Sequence, residues 1–297
     1  MSAPVSAVDL VTAGEAFEDL IFIGLPRLPL PGEEIKTSAF LQTVGGGAVI
    51  TAVAASRLGL QCGVVSGLSP AAADLLREER VAAIDLRRPT EPHAISAALS
   101  TSRDRSFVTF NGMNDRLEPR LYSALKEVQA RHVHFAFYPR RCARWSLAVH
   151  RLRRRGVTSS WDFGWNEGLT KDPAFLPLVA SLDYVFMNEQ ETTLYAGVRR
   201  LPQALAFWKR RARTAIVKLG PRGSLWLDPN LECNEPAPTV QAIDTTGAGD
   251  AFNGGFLSAR LRGQSPRECL RIGNRVGAQS TRAAGGINGL PRRRRTK

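Results

Sequence analysis

From Asp244 to Phe256 the chain reads Asp-Thr-Thr-Gly-Ala-Gly-Asp-Ala-Phe-Asn-Gly-Gly-Phe, and these residue types in this order suit one kind of chemistry. Gly247, Ala248 and Gly249 carry almost no side chain, so their amide N–H groups are bare. The apolar run after them predicts a helix whose positive end points the same way. Such an end binds an anion. Asp250 closes the turn, and a carboxylate beside an anion hole can take a proton from an acceptor hydroxyl while the amides stabilise charge on a moving phosphoryl group. The competing reading is an Asp that only caps a helix after a Gly-rich turn. Asp244-Thr245-Thr246 ahead of the turn, and a second carboxylate three residues after Gly247, weigh toward a phosphoryl-transfer site. No G-x-x-x-x-G-K-[ST] segment occurs, which excludes a P-loop.

Such a turn needs strands that end along one edge. Buried-strand patterns run over 8–13, 62–66, 131–137, 157–161, 184–187 and 215–219. Helical patterns lie between or beside them at 46–58, 70–79, 141–155, 189–195 and 202–211. An extended segment at 239–243 leads into the turn, and long helices at 249–262 and 266–282 close the chain. This alternation predicts an α/β fold with a mainly parallel central sheet and helices on both faces. Alternating stretches near 33–43 and 93–110 read as strands with a polar face. The expectation is a single α/β domain over 1–297, with a small β-sheet insertion assembled from about 17–42 and 93–111. Ligands of open parallel sheets gather beyond the carboxyl ends of the strands. Gly14, Gly45 to Gly47, Asp162, Asn188, Gly220 and Gly247 all follow predicted strands and should converge on one cleft.

The turn and helix resemble the C-terminal signature of the ribokinase-like (PfkB-type) carbohydrate kinase family. Gly45-Gly46-Gly47-Ala48 is similar to that family's N-terminal di-glycine segment, and Gly14-Glu15-Ala16-Phe17-Glu18-Asp19 to its sugar-contacting first loop. Asn188-Glu189-Gln190-Glu191 fits its N-x-x-E element, and Val217 to Gly223 its nucleotide-side strand and turn. The matches fall in the expected order over nearly the whole chain. The resemblance implies a sugar kinase using ATP and Mg2+, with Gly247, Ala248 and Gly249 as anion hole and Asp250 as base. It implies Asp19, Gly45 and Gly46 at the sugar, with Arg105, Asn111 and Asn114 as candidate lid contacts; these three read equally as exposed loop polar groups. Lys218, Gly220, Gly223 and Asn274 are expected on the nucleotide side, although Lys218 equally fits a solvated strand position. Glu191, with Asn188, would act on Mg2+ through water; the same pair fits a helix N-cap with its capping-box partner. Asp244 and Thr246, with a loop near 281–290, match positions that hold a monovalent cation such as K+ in some relatives. The insertion would be a lid over the sugar, pairing two chains into a homodimer. Where many relatives carry Asn this chain has Ile50, which leaves the acceptor open among a sugar, a sugar acid, a nucleoside and a phosphosugar. A non-catalytic binding protein on a kinase scaffold is the alternative of a different class.

Composition sets outer bounds. With 43% hydrophobic and 23% charged residues the chain reads as an ordinary globular protein. No stretch approaches the roughly 18 apolar residues a membrane helix needs. The first nine residues lack a basic region and a long apolar core, so the expected address is cytoplasmic. Cys62, Cys142, Cys233 and Cys269 are scattered and read as reduced thiols. His132 and His134 share one face of a strand, but two ligands do not make a metal site, and a structural role is expected. The net charge of +13 invites a nucleic-acid reading. Nearly all of it is Arg spread over several helices instead of one stripe, which speaks against nucleic acid as a partner. Arg292 to Arg295 are the exception, a solvated terminus or a weak polyanion contact.

Overall fold

The computed structural model describes residues 8–101 and 105–291. The first third of the chain forms β1 (Val8–Gly14), β2 (Phe17–Leu25), β3 (Ala39–Gly45), α1 (Gly47–Arg57), β4 (Cys62–Ser66), α2 (Pro70–Glu78), β5 (Ala82–Asp85), β6 (Ile95–Thr101) and β7 (Arg105–Phe110). The middle forms α3 (Leu117–Ala124), β8 (Ala130–Ala136), α4 (Cys142–Arg154), β9 (Thr158–Asp162), α5 (Phe175–Ser181), β10 (Tyr184–Asn188), α6 (Glu189–Ala196), α7 (Leu201–Arg211) and β11 (Ala215–Lys218). It closes with β12 (Ser224–Leu227), β13 (Glu232–Glu235), α8 (Ala248–Leu261) and α9 (Pro266–Ser280).

Nine strands make one sheet in the order β13-β12-β11-β10-β9-β8-β1-β4-β5. Pairing is parallel from β11 to β5, and β12 pairs antiparallel with both β11 and the edge strand β13. The strands are buried on both faces because their alternating side chains enter two separate cores. Val133, Phe135, Trp161, Val185, Met187 and Val217 pack with α3, α4 and α5. Leu10, Phe186 and Ile216 pack on the other side with α1, α8 and α9. The same alternation sends His132, His134, Ser160, Asp162 and Lys218 to the α1/α8 side. There His132 and His134 share the Ser160 hydroxyl at 2.7 and 2.8 Å, and burial holds both rings neutral, with pKa values pushed down to about 3 and about 4.

A second sheet, β3-β2-β6-β7, is built from the two expected insertions. Only β2 and β6 pair in parallel within it. Two expected strands are shorter or absent. Residues 33–38 follow a Pro-Gly turn and leave the strand to Ala39–Gly45. Residues 239–243 are irregular: Thr239, Val240 and Ala242 line a cavity, Ile243 is exposed, and its N–H donates to the Thr281 carbonyl at 2.7 Å instead of to a strand. Three of the four cysteines are buried, and all four are free. No helix among the described residues is long and apolar enough to cross a membrane. Arg103 and the Arg292 to Arg295 tail lie outside the described residues.

Candidate active site

The helices α1 and α8 bring their N-termini together beyond the carboxyl ends of the central strands. Gly254 fits against the Thr51 carbonyl, where an added Cβ would stand 2.6 Å from the oxygen, and the Thr51 hydroxyl donates to the Asp250 carbonyl at 3.1 Å. Gly247 caps α8 in the left-handed region at φ 68°, a conformation glycine adopts without steric cost. Of the three amides expected in the anion hole, that of Ala248 donates to the Thr245 carbonyl at 3.2 Å. No protein carbonyl accepts the N–H of Gly247, Gly249 or Asp250 among the described residues, so the open amides include that of Asp250 in place of Ala248. The Asp250 carboxylate faces Gly47, on which a Cβ would stand 2.9 Å from Oδ1. Burial first, then the charges of Asp162 and Glu191, push its pKa up to about 7 against the pull of Lys218.

On the acceptor side Asp19, in β2, lies against Gly45, whose missing Cβ leaves room for the carboxylate. Burial raises the Asp19 pKa to about 7. Gly46 caps α1 at φ 95° and presses on the Glu15 carbonyl. Glu15 lies in the expected sugar-contacting loop, and its carboxyl is pushed up to about 7 by burial and by Asp115. It lines a cavity of about 300 Å³ with Asn111, Asn114, Tyr138 and Arg140. Asn111 donates to Asp115, and Asn114 donates to the Ala16 carbonyl. Arg105 opens β7, but its side chain lies outside the described residues. Ile50 is 2% exposed and packs against Gly247 and Gly286, beneath the anion turn.

A second cavity of about 300 Å³, beside the N-terminus of α8, is lined by Lys218, Gly220, Gly223, Gly249, Phe252 and Asn274, together with residues 237–240, Ala242 and Thr245. Its walls are mostly apolar, as an adenine ring requires. Asn274 lines it, but its amide donates to the carbonyls of Glu235 and Pro236 and so anchors the chain leaving β13. Lys218 is not a solvated strand residue: its ammonium is 2.6 Å from Asp162 Oδ2, and the two side chains are 13% and 11% exposed. Asp162 also accepts from Asn253 at 2.7 Å. Burial pushes the Asp162 pKa up, but Lys218 and Asn253 outweigh it and hold the carboxylate below its usual range.

Asn188 and Glu191 form the reciprocal capping box, each side chain accepting the other's N–H at 2.8 Å. Burial and the charge of Asp162 raise the Glu191 pKa to about 7. Asp244 accepts from the amide and hydroxyl of Thr246 through Oδ1 and from Gly285 N–H through Oδ2. It thereby ties the anion turn to the 281–290 loop, which Arg57 holds from α1 through the Ile287 and Leu290 carbonyls. Sequence reasoning placed Asp162 at the cleft and Glu15 in the first loop without giving either a role, and missed Asn253 as a site group. A carboxylate ending a buried parallel strand was the available signal for Asp162.

A mainly parallel sheet with helices on both faces and a separate four-stranded sheet define a ribokinase-like fold. The pfkB family carbohydrate kinase pattern matches residues 8–293, and the chain belongs to that family, whose members are phosphotransferases with an alcohol group as acceptor. A ribokinase of Arabidopsis thaliana is 27% identical over 98% of this chain and 82% of its own length. The structure of Arabidopsis thaliana ribokinase complexed with ribose and ATP superposes with a TM-score of 0.77 at 24% identity, covering 97% of both chains. An adenosine kinase from Sinorhizobium meliloti superposes with a TM-score of 0.80 at 22% identity, covering 95% of this chain and 96% of its own.

Proposed function

We propose that this protein, one α/β domain with a β-sheet lid, is an ATP-dependent kinase that transfers the γ-phosphoryl group to a primary hydroxyl of a small sugar or sugar acid. The observation that carries the reading is the place of Asp250. Its carboxylate stands where two helix N-termini meet, with the Asp19 and glycine surface and an apolar cavity of about 300 Å³ beside them. Asp250 takes the hydroxyl proton as the acceptor oxygen bonds to phosphorus and the bond to the ADP leaving oxygen breaks. The open amides of Gly247, Gly249 and Asp250 hold the charge that develops on the transferred group. The acidic groups around Lys218, Glu191 among them, fit a hydrated Mg2+, which when bound neutralises phosphate charge. Asp244 and Thr246 are the candidate monovalent-cation groups, tested by titrating KCl against choline chloride. Free thiols and small soluble substrates fit a cytoplasmic enzyme.

The test is ADP release with Mg2+ across a panel of sugars, sugar acids, nucleosides and phosphosugars, with Asp250→Asn as control. Turnover on one acceptor class, abolished by Asp250→Asn, is expected. Turnover that survives the substitution would reject Asp250 as base. A nucleoside is the second reading, favoured by the cavity beyond Glu15 and Tyr138, which adjoins the acceptor surface and is about 300 Å³ in volume. A protein with no turnover that retards DNA at physiological salt would instead support the binding-protein alternative.

A further inference from the structure

Lys218 ends β11 and Asp162 ends β9, and β10 lies between them. Two strand spacings, about 10 Å, separate their backbones. Both side chains leave the sheet on the α1/α8 side, and the long lysine stem lies across β10 to reach the aspartate. Both carboxylate oxygens of Asp162 are engaged: Oδ1 takes the Gly164 N–H at 3.3 Å, and Oδ2 takes both Lys218 and Asn253. Asn253 lies one helical turn after Asp250 on α8, so the network is fastened to the helix that carries the base. An ammonium has three N–H donors. Asp162 is the one protein acceptor Lys218 has among the described residues, and Lys218 lines the cavity at the N-terminus of α8. Gly249 is where the ammonium passes the helix, for a Cβ there would stand 3.0 Å from Nζ. The glycine is thus explained by the lysine beside it as well as by its bare amide.

We infer that Asp162 and Asn253 are positioning residues that hold the Lys218 ammonium against the N-terminus of α8, where its remaining donors bind phosphoryl oxygens of the nucleotide. The inference rests on the kinase reading and extends it to three residues that work as one unit. A buried ion pair contributes little net stability compared with apolar groups of the same size, so its retention beside an anion-binding helix end points to a ligand. The charged groups facing Lys218 are Asp162 from β9, Glu191 from α6 and Asp250 from α8; His134 on β8 is neutral. With three carboxyls nearby, the Lys218 cation adds to the open amides of the α8 N-terminus in offsetting the negative charge a polyphosphate meets in this cleft.

The test compares the affinities of ATP and of adenosine by calorimetry, in the presence of Mg2+, for the wild type and the Lys218→Met, Asp162→Asn and Gly249→Ala variants. Lys218→Met should weaken ATP by about 10-fold or more, the loss of a charge-assisted hydrogen bond, and leave adenosine within about twofold. Asp162→Asn should show the same selective loss, although its amide preserves the shape. Gly249→Ala should weaken ATP in the wild-type background and have little such effect in the Lys218→Met background, because the ammonium it crowds is gone. Equal loss of ATP and adenosine in Lys218→Met, or an undiminished Gly249→Ala effect in that background, overturns the inference. Thermal unfolding checks each variant, and should Asp162→Asn fail to fold, the other two variants decide. The kinase reading fails separately, by absence of ADP release from the wild type on every acceptor.

Discussion

Asp250 must be ionised before it can accept a proton, and in the free protein it titrates near 7. Below that pH, kcat/KM should fall about tenfold per unit, and above it the profile should flatten. A profile flat down to about pH 5 would show that Asp250 is not the base. Asp250→Asn should cost about 10²–10⁴ in kcat, with the KM for ATP little changed, measured by coupled ADP release. The same titration acts on stability. An unfolded Asp ionises near its ordinary value, whereas the folded Asp250 keeps its proton to about 7. Between those limits the native state binds more protons than the unfolded state, so this group's contribution is lost as pH rises. Asp250→Asn should therefore melt at least about 2 °C above wild type at about pH 8, and the difference should close near pH 4. Equal melting temperatures at both pH values would contradict the burial assigned to this carboxylate.

At the scale of elements, the site depends on how closely α1 and α8 approach. Gly254 permits the approach at the Thr51 carbonyl. Gly254→Ala should destabilise by about 1–3 kcal/mol in a denaturant titration, even though alanine is the better helix former, because the added methyl pushes the helices apart. Activity should fall with it, since Thr51 and the Asp250 carbonyl also separate. A stabilised, fully active variant would mean that the helices tolerate the gap. The long elements were legible in the sequence: α1, α4, α8 and α9 lie within a few residues of their apolar periodicity. The stretch 239–243 was not, because local β propensity cannot show which partner, here the Thr281 carbonyl, its backbone will meet.

For the whole molecule, the four-stranded sheet leaves Phe40, Phe107, Val108 and Phe110 exposed on β3 and β7, and we propose that two copies pair through this face, as the family resemblance implies. Sedimentation should show a dimer, and Val108→Glu with Phe110→Lys should shift it to monomer while leaving a folded chain; a wild-type monomer at micromolar concentration would end that proposal. Sequence alone determined the alternation of strands and helices, the Gly-Ala-Gly-Asp turn and the family, because each is written in neighbouring residues. It left Asn188 and Glu191 open between a cap and a ligand pair, and the structure forms the cap. It marked Ile50 as a possible loss at the acceptor, and only packing revealed that residue beneath the anion turn. Asp162, Lys218 and Asn253 come from three separate stretches, and their meeting was decided by strand order and side-chain parity. Those are properties of the assembled sheet: distances between residues far apart in sequence are fixed only when every strand and helix between them has packed.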